Sequence, residues 1–237
     1  VASGWNLWGV PMSPADTSMS DNIDEDIDGY WYTYGFEDNG YTFDSTLSLG
    51  HGYWLATLDD AILSVEGLPI SEDYTHGLNM GWNLISNPLV LDVSVDSLMF
   101  EKETEYKLFA DAVSAGWVNT IYAYDSLGYG IPSFIRPWTG YWISVLDLGV
   151  SVTYPIHKGS SSSVSRTNRD QSSWNISFEA ATGQAVDRIT VMGVAEDATE
   201  GFDPMHDIAE APNPPGGEFV SMSVYHPDWA NVLGVRF

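Results

Sequence analysis

Apolar residues in this chain come in short runs that alternate with polar ones, and turn-forming residues separate the runs. Residues 5–10, 30–34 and 52–57 are examples from the first quarter of the sequence. Alternation with a period of two places successive side chains on opposite faces of a strand, whereas helical spacing of apolar residues is scarce here. Asn39 and Gly40 stand between two such runs and predict a hairpin turn. The pattern therefore predicts an all-β fold.

One arrangement of apolar and aromatic residues occurs twice. The motif Gly-Trp-Asn-Leu begins at Gly4 and again at Gly81, and a proline follows four residues after each motif. The motif Gly-Tyr-Trp begins at Gly52 and again at Gly140, and each copy then closes on Pro-Ile. An internal repeat of this length indicates two tandem copies of one small β-module.

The repeat divides the chain, and changes in composition divide it further. We predict four segments: module one at residues 1–77, module two at 78–156, a linker at 157–173 and a partial β-sandwich at 174–237. The linker is Ser-rich and carries no core pattern. After it, alternation returns in four predicted strands, at residues 174–180, 188–194, 219–225 and 232–237. Four strands are few for a closed sandwich, so this segment either continues beyond Phe237 or takes a strand from a like chain.

Two further elements are predicted inside the modules. Residues 61–65 form an apolar run that predicts a strand near the end of module one. Residues 95–109 are the best helix candidate, with Leu98, Met99 and Phe109 as apolar anchors. The two modules differ mainly in this region, and insertions of that kind usually lie in loops.

The charge of the chain excludes several classes of partner. There are 33 acidic residues against 8 basic ones, and the formal net charge is −25. Nucleic acids and anionic membrane surfaces need a basic footprint, so we expect neither as a partner. No run of eighteen apolar residues is present, so we expect no insertion into a membrane. The acidity fits solubility in saline surroundings, and the alternative is that some of the acids bind a hard cation.

Acidic residues at alternate positions indicate a candidate calcium loop. Asp24, Asp26 and Asp28 precede Gly29, as the first oxygen ligands of a calcium loop precede its glycine. An EF-hand needs Glu at the twelfth position, but Glu37 falls two residues later, so the pattern fits only a looser loop. A second acidic cluster lies in residues 197–210. The candidate calcium ligands are Asp24, Asp26, Asp28, Glu37, Asp203 and Asp207. The alternative is that both segments are solvated acidic loops.

Aromatic residues are abundant, with 10 Trp and 13 Tyr, which raises the question of a sugar-binding surface. Flat rings can stack on sugar faces, and the candidates for such a site are Trp31, Trp117, Tyr129 and Trp138. The alternative is that the aromatic residues are framework, because Trp54 recurs as Trp142 at the equivalent position of the repeat. Alternation within residues 30–34 places the tyrosines on one face of a strand, and we expect one aromatic face to lie in the core.

Signatures of catalysis are missing from the sequence. It contains no Gly-x-Ser-x-Gly, no His-Glu-x-x-His and no phosphate-binding loop, and its five histidines are scattered. It contains no cysteine, so a disulfide scaffold, a thiolate metal site and a Cys nucleophile are excluded. A glycosidase carboxylate pair depends on separation in space and stays open. We nevertheless expect a protein that is not an enzyme.

The two motif pairs resemble a repeat of large secreted or cell-surface prokaryotic proteins, in which Gly-Trp-Asn-Leu-Ile-Ser-x-Pro precedes an aromatic strand and then Gly-x-Gly-Tyr-Trp-Ile. Residues 81–88 match this pattern, whereas module one departs from it at Trp8 and Gly9. The last segment resembles a β-domain found near type IX sorting tails. Its matching landmarks are Trp174, residues 198–203, Asp207, Ala211, Pro212, Pro214, Pro215, His226, Asp228 and Trp229. The resemblance implies secretion and a modular organisation, and it brings no catalytic residues.

Together these features predict a secreted, non-enzymatic structural or adhesive protein at the cell surface or in extracellular material. We expect it to self-assemble, for instance into filaments, or to exchange strands with a like chain. The alternative is the carbohydrate-binding portion of a larger secreted enzyme, with a polysaccharide as partner. Calcium is the candidate cofactor, and no organic cofactor is expected.

Overall fold

The computed structural model describes residues 1–156, 172–226, 228 and 229. Short antiparallel strands are the main regular structure of these residues, and the α-helices among them, α1 and α2, are five and six residues long, so the predicted all-β class is confirmed. Almost all of the predicted linker and the predicted strand at 232–237 lie outside the described residues. In the described part of the chain no helix is long and apolar enough to cross a membrane.

Module one is built around a four-stranded antiparallel sheet with the order β1-β5-β3-β4, and a short pair, β2 and β6, lies beside it. Its elements are β1 (Gly4–Trp8), β2 (Ser13–Pro14), α1 (Met19–Ile23), β3 (Trp31–Glu37), β4 (Gly40–Phe43), β5 (Tyr53–Thr57) and β6 (Gly67–Leu68). The predicted hairpin turn is confirmed one residue earlier in the chain. Asp38 and Asn39 both have positive φ, 49° and 61°, as a two-residue hairpin turn requires.

The strand predicted at residues 61–65 is wrong. The backbone of this segment makes isolated hydrogen bonds and does not pair with a neighbouring strand. Ala61 exchanges backbone hydrogen bonds with Val1, and the Ser64 N–H donates to Asp26 Oδ2 at 2.5 Å. Leu63 and Val65 still pack against the core of module one. The apolar pattern therefore reports burial here and not strand pairing.

Module two contains a second four-stranded antiparallel sheet, with the order β13-β12-β15-β8, and a further sheet with the order β11-β10-β16-β7. The strand β7 precedes residue 78 in the chain and pairs with β16. The elements are β7 (Tyr74–Gly77), β8 (Gly81–Ser86), β9 (Val93–Ser94), a 3-10 turn (Val95–Ser97), β10 (Met99–Lys102), β11 (Glu105–Leu108), α2 (Phe109–Ser114), β12 (Val118–Asp125), β13 (Gly128–Gly130), β14 (Phe134–Ile135), β15 (Gly140–Val145) and β16 (Val150–Tyr154).

The helix predicted over residues 95–109 is wrong for most of its length. The hairpin of β10 and β11 occupies this region, and only Phe109 begins a helix, α2. Glu103 turns the hairpin with a φ of 58°, and Phe100 lies fully buried opposite Val152 of β16. Pairing with a strand about fifty residues away overrides the local preference, as tertiary context commonly does.

The two four-stranded sheets have the same strand order, and the register of β1 with β5 matches that of β8 with β15. Leu7 lies opposite Trp54 in one sheet, and Leu84 lies opposite Trp142 in the other. The recurring asparagine has one role in both: Asn6 bonds the backbone of Ala2 and Gly4, and Asn83 bonds the backbone of Asn79 and Gly81. These side chains fix the bend by which the chain enters the first strand of each sheet.

The glycines that open the Gly-Tyr-Trp motifs allow the two sheets to approach each other. A Cβ at Gly52 would lie 2.5 Å from the backbone oxygen of Ile85, and a Cβ at Gly140 would lie 2.9 Å from the backbone of Trp8. Ile85 and Trp8 occupy the same register position in their two sheets. The contact is therefore reciprocal, and the two sheets form one packed unit.

Three buried clusters divide the core. One face of the first sheet packs on α1 and the loops of module one, with Trp8 and Tyr53 at its centre. One face of the second sheet packs on α2 and the sheet of β10 and β16, with Ile143 at its centre. The remaining two faces meet each other and share a third cluster that includes Trp54 and Trp142. The aromatic residues of the repeated motifs thus lie in the framework.

The strands in the described part of the last segment form one long hairpin, whose ladder is interrupted between its base and its tip. Its strands are β17 (Ser172–Ser177), β18 (Ala180–Thr182), β19 (Ala185–Asp187) and β20 (Val191–Ala195), paired as β17 with β20 and β18 with β19. The strands predicted at 174–180 and 188–194 are confirmed in part. The strand predicted at 219–225 is wrong, because side chains bond its backbone: Met222 donates its N–H to Asp187 and accepts from Thr190 Oγ1.

Candidate functional site

The faces of the two four-stranded sheets that meet each other are dense in aromatic rings, and we call the surface they form the aromatic groove. Its rings belong to Trp5, Tyr34, Phe36, Tyr41, Trp54, Trp82, Tyr122, Tyr124, Tyr129 and Trp142. Rings of the two sheets interlock. Phe36 meets Trp142 edge to face with centroids 4.7 Å apart, and Trp54 meets Tyr124 with centroids 4.8 Å apart. Such geometry is favourable beyond the area it buries.

An extended segment of the chain, residues 202–217, lies across this groove, and we call it the strap. It contains no strand and no helix, yet Ala209 and Ala211 on it are 0% and 3% exposed. At its far end Gly216 and Gly217 lie against the Trp5 ring. The strap therefore closes the aromatic core without belonging to either sheet.

Asn119, on the second sheet, holds the first half of the strap. Its Nδ2 donates to the backbone oxygens of Pro204 and Asp207, at 3.2 Å and 2.8 Å, and its Oδ1 accepts from the Ala209 N–H at 3.0 Å. Asn119 is fully buried, so these bonds also satisfy an amide that would otherwise be costly to bury.

Three tyrosines of the groove hold the strap from Ala209 onward. Tyr122 donates its hydroxyl proton to the Ala209 oxygen at 3.1 Å, and Tyr129 donates to the Pro212 oxygen at 2.5 Å. Tyr41, from the first sheet, donates to the Asn213 oxygen. Burial raises the pKa of Tyr41 and of Tyr129 above its ordinary value, so both hydroxyls stay protonated and remain donors. Every one of these contacts is to a backbone carbonyl of the strap.

Glu210 is the strap residue with the most altered acidity. Burial and the nearby charge of Asp187 raise the pKa of Glu210 to about 7, although the Ser221 hydroxyl donates to Glu210 Oε1 at 3.1 Å. Beside it lies a cavity of about 70 Å³, bounded in part by Tyr124 and Phe219. The carboxyl therefore changes charge near neutral pH at the edge of the groove.

A larger cavity, of about 450 Å³, lies between β20 and the first half of the strap. The candidate calcium ligands Asp203 and Asp207 lie in this half. Asp207 Oδ2 accepts from the Asp203 N–H at 2.7 Å, and Asp203 Oδ1 accepts from the Met205 N–H at 3.0 Å. Burial and the charge of Asp203 raise the pKa of Asp207. In this structure the two carboxylates bond the turn that opens the strap.

The other candidate calcium ligands lie in module one. Asp24 accepts the Trp31 indole N–H at 2.8 Å, Asp26 accepts from the Ser64 backbone, Asp28 is exposed, and Glu37 ends β3 at the hairpin turn. Among the described residues no group of three or more His, Asp or Glu side chains is placed to hold a metal ion. Calcium binding at either acidic segment stays a prediction.

The four candidate sugar-binding rings occupy different environments. Trp117 is 7% exposed in the core of module two, with the Lys107 ammonium 4.8 Å from its ring centroid, so its faces are not open to a ligand. Tyr129 lies in the aromatic groove under the strap, and Trp31 is half-buried against the core of module one. Trp138 is 39% exposed. The structure does not bring these four rings together in one cluster.

Sequence reasoning missed Asn119, Tyr122 and Tyr41 as residues that hold the strap, and it named Tyr129 only as a candidate for sugar binding. Nothing local to Tyr122 indicates what its hydroxyl bonds. Asn119 carries no sequence signal of its role, since its partners lie 85 to 90 residues further along the chain. The one available signal is the proline content of residues 204–215, which indicates an extended segment.

No known protein family, curated protein or solved structure matches this chain.

Proposed function

We propose that this chain is a non-enzymatic structural or adhesive protein of the cell surface or of extracellular material, and that it assembles with like chains. The observation that carries the proposal is an apolar face on the hairpin of β17 and β20, which we call the hairpin face. It consists of Trp174, Ile176, Met192 and Val194. The acidic, cysteine-free composition and the repeated β-modules fit the extracellular setting.

The hairpin face is contiguous. Trp174 lies directly opposite Val194, and Ile176 lies directly opposite Met192, so all four side chains point to the same side of the hairpin. Each of them is between 45% and 53% exposed. In the described part of the chain this sheet has only two strands, and an isolated two-stranded sheet with an apolar face is typical of a surface that another element covers.

The hairpin face suits association between like chains because it is uncharged. Neither β17 nor β20 contains an acidic or basic residue, although the whole chain carries a net charge of −25. Two copies can therefore meet through this face without burying a charged side chain of β17 or β20. Salt screens the remaining repulsion, so association should strengthen as ionic strength rises.

The test measures the mass of the chain in solution by sedimentation and light scattering over a range of protein and salt concentrations. Ile176→Lys places a charge in the hairpin face and should weaken association by about tenfold or more, since burial of an isoleucine contributes about 1.5–3 kcal/mol. Ile62→Lys is the matched control, because Ile62 is 87% exposed in module one, away from this hairpin. A chain that stays monomeric at millimolar concentration and high salt would overturn the proposal.

Carbohydrate binding is the second candidate function, and Trp138 favours it. This residue adopts a φ of 63°, which is uncommon for a bulky side chain and is found disproportionately at functional positions. Its ring is partly exposed, as are those of Tyr30 and Tyr32 in module one. Affinity electrophoresis in soluble polysaccharides tests this: retardation that Trp138→Ala abolishes would support it, and unretarded migration in every polysaccharide would count against it.

A further inference from the structure

We propose that the aromatic groove is a binding site for an extended, Pro-rich polypeptide segment, and that the strap of a second copy of this chain occupies it when chains assemble. This inference deepens the proposed function, and its second half rests on the association of like chains. The occupant is defined by chemistry: small side chains at two buried positions, prolines around them, and free backbone carbonyls.

The groove recognises the backbone of its occupant more than the side chains. Asn119 bonds two carbonyls and one N–H of the strap, and Tyr122, Tyr129 and Tyr41 each bond one carbonyl. Ala209 and Ala211 are the strap side chains that lie buried in the groove, and Phe202 and Ile208 pack against the same cluster partly buried. An extended segment with small residues at the positions of Ala209 and Ala211 and a matching proline pattern can make the same backbone contacts.

The strap is preorganised for such a site. Pro212, Pro214 and Pro215 restrict the backbone of its second half and remove three N–H groups that would need partners, while Pro204 lies in the turn that opens the strap. An extended proline-containing segment in an aromatic-lined groove is a recurrent mode of peptide recognition, and the low conformational entropy of the free segment favours binding.

The groove is assembled without the strap. All of its rings belong to the two four-stranded sheets. Backbone bonds join the sheets directly: the Gly52 N–H donates to the Leu84 oxygen at 3.1 Å, and the Ser86 N–H donates to the Gly50 oxygen at 2.8 Å. A chain whose strap has left the groove therefore retains the groove itself. Its aromatic rings are then exposed to water, which favours the binding of another segment in place of the strap.

A second copy supplies that replacement most directly. The strap of one copy can make the same contacts in the groove of a neighbouring copy. Exchange of straps therefore links two copies through contacts that already exist within one chain. Fifteen residues, 157–171, connect the last described residue of module two to Ser172. Fully extended, a chain of this length spans at most about 50 Å, which exceeds the diameter of a small domain. The connection is therefore long enough for a strap to reach a neighbouring groove.

Complementation between two variants tests the exchange. Ala209→Arg spoils the strap and leaves the groove intact, because the arginine cannot enter the buried position of Ala209. Asn119→Asp spoils the groove and leaves the strap intact, because a carboxylate oxygen then faces the carbonyls of Pro204 and Asp207. Ile176→Lys is added to both variants to remove association through the hairpin face, and we then expect their mixture to form a one-to-one complex by native mass spectrometry. We expect neither variant alone to form a strap-exchanged dimer.

A labelled synthetic peptide of residues 202–217 tests the groove itself. We expect the Ala209→Arg chain to bind it at least about tenfold more tightly than the wild-type chain, whose resident strap competes. The same peptide with Ala209→Arg should bind neither chain. Near-ultraviolet circular dichroism of the buried rings reports whether each variant is folded, and Ala211→Arg replaces Ala209→Arg if the latter does not fold.

The outcomes separate the parts of the proposal. Absence of peptide binding by the wild-type chain and by the folded strap variant overturns the binding site. Peptide binding without a mixed complex overturns the exchange between copies and leaves the site. Wild-type association that Ile176→Lys abolishes, but that both strap and groove variants leave unchanged, overturns the exchange while the proposed function stands.

Discussion

Phe36 of the first sheet meets Trp142 of the second edge to face, with ring centroids 4.7 Å apart and an interplanar angle of 88°. Each ring belongs to a different copy of the repeated pattern, so neither copy completes this part of its core alone. The same holds for Trp54 and Tyr124, whose rings also meet across the two sheets. The modules are therefore expected to unfold as one cooperative unit.

Phe36→Ala tests this coupling. Phe36 is partly buried, so loss of its ring should lower the free energy of unfolding by about 2–3 kcal/mol, somewhat below the value for a fully buried phenylalanine. Denaturant unfolding should show one transition that shifts as a whole. Phe43→Ala, at an exposed position of the same hairpin, is the control and should change stability little. Two separate transitions, of which only one shifts, would show that the modules are independent.

Tyr122→Phe tests the anchoring of the strap. The variant removes the hydroxyl that bonds the Ala209 oxygen and leaves that buried carbonyl without this donor, which should cost about 1–2 kcal/mol of unfolding free energy. Amide hydrogen exchange within residues 202–217 should accelerate more than exchange in the sheets, because the strap is the element released. Tyr30→Phe removes a hydroxyl from an exposed tyrosine and serves as the matched control. Uniform acceleration across the whole chain would contradict a local role.

Much of this architecture follows from the sequence because its signals are local. The strands that carry the repeated motifs are short apolar and aromatic runs, and Asn39 with Gly40 predicts a hairpin, which the structure turns one residue earlier at Asp38 and Asn39. Residues 95–109 show the limit of such signals. The residues around Phe100 have the apolar spacing of a helix, but Phe100 is buried because its strand pairs with β16. No local sequence pattern indicates that pairing.

The candidate site was less predictable for the same reason. The strap is visible in the sequence as a proline-rich, extended segment, but its binding partner is not, because Asn119 and Tyr122 are more than 80 residues away. Trp117 shows the converse. An aromatic residue in a variable region is a reasonable ligand-binding candidate from sequence, and only the packing reveals that its ring is in the core.

Glu210→Gln tests the effect of pH on the strap. The pKa of Glu210 is about 7 in the folded chain, against 4.5 as its ordinary value. Between these values the folded chain holds a proton that the unfolded chain has released, so the free energy of unfolding falls as pH rises through this window. The variant should be more stable than the wild type at pH 8 by about 1–2 kcal/mol, a value reduced for the partial exposure of the carboxyl.

At pH 4.5 the two proteins should differ little, since both then carry a neutral side chain at this position. Asp187 faces Glu210 and contributes to the shift, so Asp187→Asn should lower the pKa of Glu210 toward its ordinary value. Glu196→Gln removes one negative charge from an exposed position just after β20, outside the strap, and controls for the change in net charge. A wild-type advantage at pH 8 would contradict the prediction.

His51 and His76 should produce the opposite dependence on pH. Their rings meet edge to face with centroids 4.6 Å apart, and burial together with the charge of His51 lowers the pKa of His76 from 6.5 to about 4. Burial also lowers the pKa of His51, against the raising effects of Asp44 and Glu37. Between pH 6.5 and 4 the unfolded chain binds protons that the folded chain does not, so the free energy of unfolding falls as pH falls.

Nuclear magnetic resonance titration of the histidine ring protons measures this directly. The His76 signal should titrate near pH 4, and His51→Gln should move its midpoint upward, because one of the two causes of the shift is removed. His76→Gln should lose less stability than the wild type between pH 7 and 4.5, by about 1–2 kcal/mol after allowance for partial exposure. The window overlaps that of Glu210 with opposite sign, so the wild-type profile should be flatter than that of either single variant. A His76 midpoint near 6.5 would show that the pair is solvated and that the junction of β7 with the loop at Gly50 does not sense acid.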